Sequence, residues 1–266
     1  MKNFSTLILS IILMASGSLL SAQSKSSVKG EEVSYSADGI IMKSYVAYDE
    51  KQTGKRPAII VVPEWWGNND YSKMRARMLA DLGYIAIAVD MYGNGKLGPT
   101  PKEAGELATP FYKDPTLGQK RIEAAINKLK AYPQTDSTKI AAIGYCFGGS
   151  MVLNAAKIGM DFKGVVSFHG GLATVPATEG TTKANILVCH GGADNFISAE
   201  EIKTFRENLD NVKAPYTFKV YEGATHAFSN PAATATGKKF SMPIEYNEAA
   251  DKKSWQDMQD FFKTIF

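Results

Sequence analysis

Short apolar segments alternate along this chain with longer segments whose apolar residues recur at helical spacing. Residues 58–62 and 85–89 are continuously apolar, as expected of strands that are covered on both faces. Residues 70–82, which lie between them, place Met74 and Met78 four positions apart and indicate an amphipathic helix. This alternation predicts an α/β fold with a mostly parallel central sheet and helices on both faces.

Turn signals and periodicity divide the chain into predicted strands and helices. The predicted strands are 31–36, 40–48, 58–62, 85–89, 140–143, 165–168, 186–189 and 216–221, and the predicted helices are 70–82, 116–131, 151–158, 199–211 and 245–264. Asp38 and Gly39 separate the first two strands and predict an N-terminal antiparallel hairpin. Residues 91–115 and 227–244 are predicted to be long loops. Both begin near the carboxyl ends of strands, where ligands bind in open α/β sheets.

Residues 1–22 are predicted to be a signal peptide rather than part of the fold. Lys2 supplies a positive start, residues 7–20 are apolar, and the segment ends in small residues that form a candidate cleavage site. An uncleaved N-terminal anchor is the alternative. Residues 23–30 are small and polar and are predicted to be a flexible lead-in, which leaves 31–266 as a single domain. Cleavage implies an exported protein, periplasmic or secreted, with no stable membrane association after processing.

The composition excludes several other classes of protein. Hydrophobic residues make up 44% and charged residues 21%, which is ordinary for a globular protein and unlike a disordered or fibrous one. The formal net charge of +3 provides no basic footprint for nucleic acid. Two cysteines cannot build a disulfide framework, and three histidines without a carboxylate cluster at ligand spacing predict no metal site. Nothing in the composition indicates an oligomeric state.

The hexapeptide Gly-Tyr-Cys-Phe-Gly-Gly at 144–149 follows a predicted strand and precedes a predicted helix. This is the context of a nucleophile elbow, with Cys146 in the position of the usual serine. The turn would expose the sulfur at the top of the sheet and direct the N–H of Phe147 toward a developing oxyanion. The following helix N-terminus would favour a thiolate. A buried cysteine in a glycine-rich turn is the alternative, and packing is the interpretation given to Cys189 in its predicted strand.

A thiol nucleophile needs a base, and the base needs an orienting acid. Asp194 follows the predicted strand 186–189, and His226 follows the predicted strand 216–221. Hydrolases with this kind of sheet place the triad in the chain order nucleophile, acid, histidine, which Cys146, Asp194 and His226 satisfy. The alternatives are a turn residue for the aspartate and a surface position for the histidine.

The other two histidines, His169 and His190, each precede a glycine at a predicted strand end. We expect them to make local hydrogen bonds and to shape the floor of the site rather than to act as the catalytic base. The base is therefore assigned to His226 alone.

Five motifs in register resemble those of the dienelactone hydrolase family of α/β-hydrolases, and the resemblance covers about residues 31–266. They are Pro-Glu-Trp-Trp-Gly at 63–67, Asp-Met-Tyr at 90–92, the hexapeptide at 144–149, His-Gly-Gly-Ala-Asp at 190–194 and Ala-Thr-His-Ala-Phe at 224–228. The resemblance implies an α/β-hydrolase fold, a carboxylic-ester hydrolase and the triad given above.

The resemblance also assigns roles to two further residues. It implies that Glu64 contacts the Cys146 thiol in the resting enzyme and helps to activate it, and that the N–H of Trp65 joins that of Phe147 in the oxyanion hole. The residues themselves support Glu64, because a carboxyl between proline and two tryptophans at a strand end is expected to be desolvated. Desolvation would raise its pKa and suit it to proton exchange. A solvated loop glutamate is the alternative.

Two departures from the family bear on the substrate. Family members that take dienelactones grip the substrate carboxylate with two arginines, and the matching positions here are Asn94 and Asn230. Arginine is the natural bidentate partner of a carboxylate, so a neutral or larger ester is expected. Four aromatic residues are candidates for an apolar acyl pocket, although some could equally be core aromatics. They are Trp65, Trp66, Tyr92 and Phe228.

The function predicted from the sequence is hydrolysis of a small-molecule carboxylic ester or lactone by an exported enzyme. Cys146 would attack the carbonyl and form an acyl-thioester, which His226 and water would then cleave. This mechanism requires no cofactor. The alternatives are a thioesterase-type hydrolase or lactonase, and a non-catalytic exported binding or redox-responsive protein on the same fold.

Overall fold

The computed structural model describes residues 27–266. The strands are β1 (Val28–Ala37), β2 (Ile40–Asp49), β3 (Arg56–Val62), β4 (Ile85–Ala88), β5 (Thr135–Tyr145), β6 (Gly164–Phe168), β7 (Asn185–Gly191) and β8 (Tyr216–Tyr221). The helices are α1 (Asp70–Asp81), α2 (Pro101–Lys113), α3 (Pro115–Lys130), α4 (Phe147–Lys157), α5 (Ala199–Asn211), α6 (Ala233–Phe240) and α7 (Glu248–Ile265). The predicted signal peptide at 1–22 and residues 23–26 of the predicted lead-in lie outside the described residues. Residues 28–30, also assigned to that lead-in, belong to β1.

These strands form one sheet in the order β1-β2-β4-β3-β5-β6-β7-β8. β2 pairs antiparallel with both β1 and β4, and the other neighbouring strands are parallel. Asp38 and Gly39 have φ angles of 51° and 74°, and a two-residue type I′ hairpin turn requires positive values at both positions. The predicted α/β fold with its N-terminal antiparallel hairpin is therefore confirmed.

Residues 91–115 and 227–244, which were predicted to be loops, each contain a helix, so that prediction is wrong for both segments. In the first segment the Thr100 side chain accepts the N–H of Glu103 and caps α2. In the second segment α6 buries only alanine and glycine. Such small residues give no periodic apolar signal, and α6 therefore depends on tertiary packing that the sequence pattern does not show.

The sheet carries a layer of core on each of its faces. Within β3, Ile60 and Val62 pack in the cluster that includes residues of α3 and α4, whereas Ile59 and Val61 pack in the cluster that includes residues of α1 and α7. This division follows from the alternation of side chains along a strand. The two layers fix the carboxyl ends of the parallel strands relative to one another.

No helix between residues 27 and 266 is both long and apolar enough to cross a membrane.

Gly148 in α4 and Gly105 in α2 allow a matched test of how closely the elbow packs. A Cβ at Gly148 would lie 2.2 Å from the carbonyl oxygen of Val62, whereas at Gly105 the nearest atom, of Trp65, is 3.9 Å away. We expect Gly148→Ala to cost about 3 kcal/mol or to prevent folding, because β3 would have to shift. Gly105→Ala should stabilise the fold by up to about 1 kcal/mol through helix propensity. Urea unfolding measures both, and equal midpoints for the two variants would contradict the expectation.

Candidate active site

The carboxyl ends of the parallel strands bring the predicted catalytic residues to one edge of the sheet. Glu64 follows β3, Cys146 follows β5, Asp194 follows β7 and His226 follows β8. Parallel strands end at the same edge, so residues more than a hundred positions apart become neighbours. The side chains of all four residues meet at this edge or directly beneath it.

Cys146 lies in a strained turn between β5 and α4. Its φ angle is 52° and its ψ angle is −116°, values that a non-glycine residue adopts only when its surroundings impose them. A Cβ at Gly144 would lie 2.0 Å from the carbonyl oxygen of Gly148, so the close turn requires glycine there. The backbone N–H of Cys146 also donates to the carbonyl of Phe168 at 3.0 Å. This geometry is that of the predicted nucleophile elbow.

Asp194 and His226 are joined by a hydrogen bond, and His226 shares the cavity wall with Cys146. Asp194 accepts the N–H of Phe196 on Oδ1 at 2.9 Å and the Nδ1 of His226 on Oδ2 at 2.8 Å. The imidazole interacts electrostatically with the Cys146 side chain. Burial acts to lower the pKa of His226, but the negative charge of Cys146 and the bond to Asp194 outweigh it and raise the pKa to about 10. The site therefore favours the protonated form of the His226 imidazole.

His169 lies under the elbow and makes the local bonds that the sequence predicted for it. Its Nδ1 accepts the backbone N–H of Cys146 at 3.2 Å, and its Nε2 lies 2.8 Å from the hydroxyl of Ser229. Burial holds the pKa of His169 well below its usual value, so the ring is neutral and donates through Nε2. Burial also lowers the pKa of His190, whose ring contacts Phe218. Neither histidine competes with His226 for the position beside the sulfur.

Glu64 is 3% exposed and lies at the wall of the site. Burial raises its pKa to about 7, although a hydrogen bond from Asn230 opposes the shift. The Asn230 Nδ2 donates to Glu64 Oε2 at 2.7 Å. The predicted desolvation of this carboxyl is thus confirmed. The contact that the structure shows for Glu64 is the hydrogen bond from Asn230. The titratable side chain that interacts with Cys146 is His226.

The two N–H groups assigned to the oxyanion hole follow the neighbouring strands β3 and β5. Phe147 is the first residue of α4, and Trp65 follows β3 directly after Glu64. The Tyr92 hydroxyl donates to the Trp65 carbonyl at 2.8 Å and so holds the peptide chain at that point. Within residues 27–266 neither N–H donates to a backbone carbonyl of another element. Trp65 also lines the cavity, whereas Phe147 is buried directly behind Cys146.

A cavity of about 280 Å³ opens in front of Cys146 and His226. Its wall is largely apolar and aromatic. The lining residues are Glu64, Trp65, Trp66, Tyr112, Cys146, Gly171, Phe196, Ile197, Glu201, His226, Ala227, Met242 and Ile244. Within residues 27–266 no group of three histidine, cysteine or acidic side chains is arranged to hold a metal ion.

Four of the predicted substrate-binding residues are not part of the cavity wall. Tyr92 and Phe228 are buried in the core, Asn94 is exposed on the surface, and Asn230 lies behind Glu64. Trp66, the fifth, does line the cavity. For the two aromatic residues, the alternative interpretation as core aromatics fits the structure. Phe228 lies only two positions from His226, and its side chain is nevertheless fully buried.

Several wall residues were not predicted from the sequence. Tyr112 comes from α2, Phe196 and Ile197 come from the segment between β7 and α5, and Met242 and Ile244 follow α6. Three of these five lie in the two segments predicted to be long loops near strand ends. The length and position of those segments were therefore the available signal, but they did not indicate which side chains face the substrate.

The bond from Asn230 leads to a prediction about Glu64. Replacing Asn230 by alanine removes a hydrogen bond that holds the Glu64 pKa down, so Glu64 should titrate above pH 7 in the variant. The carboxyl stretching band, followed by infrared difference spectroscopy against pH, measures this titration. Asn94→Ala is the control, since Asn94 is exposed and its titration curve should match that of the wild type. An unchanged midpoint in Asn230→Ala would contradict the expectation.

A mostly parallel sheet with a nucleophile elbow after β5 and an aspartate–histidine pair after the next strands defines an α/β-hydrolase. The family model for the dienelactone hydrolase family matches residues 42–266, and the chain belongs to this family. The predicted carboxylic-ester hydrolase is thereby confirmed at the level of enzyme class, with a small ester or lactone as the kind of substrate.

Individual relatives agree with this assignment. The chain is 26% identical over 240 residues to a protein of Aquifex aeolicus named “Putative carboxymethylenebutenolidase”, a match that covers 88% of this chain and 98% of that protein. It is 32% identical to the uncharacterized protein K02A2.1 of Caenorhabditis elegans over 149 residues, which are 55% of this chain and 92% of that one. A crystal structure of the dienelactone hydrolase-like promiscuous phosphotriesterase P91 from metagenomic libraries superposes with a TM-score of 0.84 at 32% identity. That match covers 90% of this chain and 99% of the other.

Proposed function

We propose that the protein hydrolyses a carboxylic ester or lactone with Cys146 as the nucleophile, His226 as the base and Asp194 as the acid that orients the base. The observation that carries this proposal is that Cys146 and His226 line the same cavity, while Asp194 holds the Nδ1 of His226 by a hydrogen bond of 2.8 Å. A buried imidazole with a raised pKa beside a sulfur is the arrangement that activates a thiol.

In the first half of the reaction the Cys146 sulfur attacks the ester carbonyl and a carbon–sulfur bond forms. The N–H groups of Trp65 and Phe147 would hold the oxyanion, and a donor in this position contributes about 3 kcal/mol to the stability of the transition state. The carbon–oxygen bond then breaks, and His226 gives its proton to the departing alkoxide. The products are an alcohol and an acyl-thioester on Cys146.

In the second half His226, now neutral, accepts a proton from water as the water attacks the thioester carbonyl. The tetrahedral intermediate collapses, the carbon–sulfur bond breaks and the acid leaves. Its departure regenerates the thiolate beside the imidazolium. Asp194 keeps the Nδ1 of His226 protonated throughout, so that Nε2 is the nitrogen that moves the proton.

Glu64 adds a second group that can exchange a proton at neutral pH. Its pKa of about 7 and its place on the cavity wall support a role in the protonation state of the site before the substrate binds. The bond from Asn230 holds one of its oxygens in place. A carboxylate contact with Cys146, which the family resemblance implies, would require the side chain to turn from its present position.

A trapped intermediate tests the proposed function. His226→Gln should slow deacylation, so that incubation with p-nitrophenyl acetate leaves one acetyl group on Cys146, detected by peptide mass spectrometry. Treatment with iodoacetamide should block both acetylation and turnover in the wild type. Cys189 is the internal control, because it is fully buried and should stay unmodified. Turnover that survives full alkylation of Cys146 would exclude the proposed nucleophile.

We also propose that the enzyme is exported after removal of residues 1–22, because the charged start, the apolar stretch and the small residues before Gln23 have the features of a signal peptide. Sequencing the N-terminus of the mature protein from its natural host tests this. We expect the mature chain to begin at Gln23, and a mature chain that still begins at Met1 would contradict the proposal.

A further inference from the structure

The catalytic cavity carries acidic side chains and, within residues 27–266, no lysine or arginine in its wall. Glu64 and Glu201 supply the two carboxyl groups. The imidazole of His226 is paired with the carboxyl group of Asp194, 2.8 Å from its Nδ1, so a positive charge on the ring is balanced behind the wall. The wall therefore has a net negative charge at neutral pH and above, and a charge of that sign attracts a cationic ligand and repels an anionic one.

The buried cation that acts on Glu64 does not cancel this charge. Arg75 influences Glu64 electrostatically, but it is 1% exposed and is not part of the cavity wall. Its guanidinium forms an ion pair with Asp251 and donates to the carbonyl of Ser229 at 2.6 Å. Its charge is thus already compensated beneath the site.

Glu201 is held in place with its charge unpaired. Its Oε1 accepts the backbone N–H groups of Leu172 and Ala173 at 2.7 and 2.8 Å, and these bonds leave Oε2 unengaged. In the part of the chain that the structure describes, no cation forms an ion pair with it, whereas the neighbouring Glu200 lies 4.0 Å from Lys203. Glu201 is therefore a fixed negative group at the cavity.

Aromatic rings complete the wall around this charge. Trp65 and Trp66 lie with their ring centroids 5.0 Å apart, and Tyr112 and Phe196 come from other elements. Tryptophan, tyrosine and phenylalanine faces attract an ammonium group through their quadrupoles, most strongly where water is excluded. A site formed by aromatic rings and a carboxylate can therefore bind an alkylammonium group.

We propose that the catalytic cavity prefers esters that bear a positive charge over uncharged esters and disfavours anionic ones. Glu201 is the residue that discriminates between these substrates by their charge. This inference rests on the proposed function and names the substrate class for the same site. An alkylammonium group in the alcohol part of the ester would lie among the rings and near Glu201 while the acyl carbon faces Cys146.

Three acetate esters of similar size test the preference. Acetylcholine is cationic, 3,3-dimethylbutyl acetate is its uncharged carbon isostere, and 4-acetoxybutanoate is anionic. All three form the same acetyl-enzyme, so kcat/KM at constant ionic strength compares only binding and acylation. We expect acetylcholine to exceed the uncharged isostere by about tenfold, the size of one cation–π or partly desolvated charge contact, and the anionic ester to be the poorest substrate.

Glu201→Gln isolates the charge, because glutamine keeps an oxygen that can accept the two N–H groups. In this variant the ratio of kcat/KM for the cationic ester to kcat/KM for the uncharged ester should fall several-fold, because the charge of Glu201 is removed while the aromatic rings remain. Glu200→Gln is the matched control and should keep the wild-type ratio, since Glu200 does not line the catalytic cavity. The inference is overturned if the uncharged isostere is the equal of acetylcholine in the wild type, or if Glu201→Gln leaves the ratio unchanged.

Failure of the proposed function would give a different result. In that case the wild type would hydrolyse none of the three esters, or Cys146→Ala would hydrolyse them as well as the wild type does. The charge preference can still be decided by binding. Quenching of tryptophan fluorescence by choline, compared with 3,3-dimethylbutanol, should show tighter binding of the cation, and equal binding would overturn the inference.

Discussion

Replacing Cys146 by alanine should lower kcat/KM for ester hydrolysis by about 10⁴-fold or more. The variant keeps the cavity and the oxyanion donors but has no atom that can form the acyl-enzyme. His226 would also lose the influence of Cys146 that raises its pKa, so the pKa of His226 should fall. A chromogenic ester assay measures the loss, and circular dichroism verifies that the variant is folded.

Cys189→Ala is the matched control for this experiment. Burial raises the pKa of the Cys189 thiol to about 12, so this sulfur stays protonated in the core of β7. Its removal should leave kcat/KM within about twofold of the wild type and affect only stability, by about 1 kcal/mol for a small buried side chain. If Cys189→Ala lost activity while Cys146→Ala kept it, the two cysteines would have been assigned the wrong roles.

That Cys146, Asp194 and His226 come together could be predicted from the sequence because it follows from topology. Each of them comes after the carboxyl end of a strand, and parallel strands bring those ends to one edge whatever the order of the strands. The φ angle of 52° at Cys146 follows in the same way from glycines at 144 and 148, which only a close turn requires. These features depend on local sequence and on a general rule of sheets.

The cavity wall could not be predicted in the same way, because it depends on contacts between distant segments. Asn230 bonds Glu64 across 166 positions, and the sequence does not indicate that the amide faces the carboxyl rather than the substrate. Tyr112 reaches the cavity only because α2 forms and packs beside the elbow. Which face of a short helix turns inward is decided by tertiary packing and not by a motif.

The pairing of Asp194 with His226 supports the second large prediction. Asp194→Asn should lower kcat by about 10²- to 10⁴-fold, since an amide cannot stabilise an imidazolium and can bind the wrong tautomer. The asparagine can still accept the N–H of Phe196 through its oxygen, so the loop should keep its fold. Asp161→Asn, a change at an exposed aspartate, should have no effect.

The pH profile separates this role from a merely structural one. In the wild type Cys146 and Asp194 together raise the pKa of His226 to about 10, so the imidazolium that protonates the leaving group persists until the pH approaches that value. Asp194 raises the pKa of His226 both through its hydrogen bond and through its charge. The substitution weakens both influences, so the pKa of His226 must fall. The alkaline limb of kcat/KM should therefore move to lower pH. A purely structural defect would lower kcat/KM by the same factor at every pH and would leave the alkaline limb at its wild-type pH. A large loss of activity with the alkaline limb at the wild-type pH would therefore mean that Asp194 only holds the loop in place.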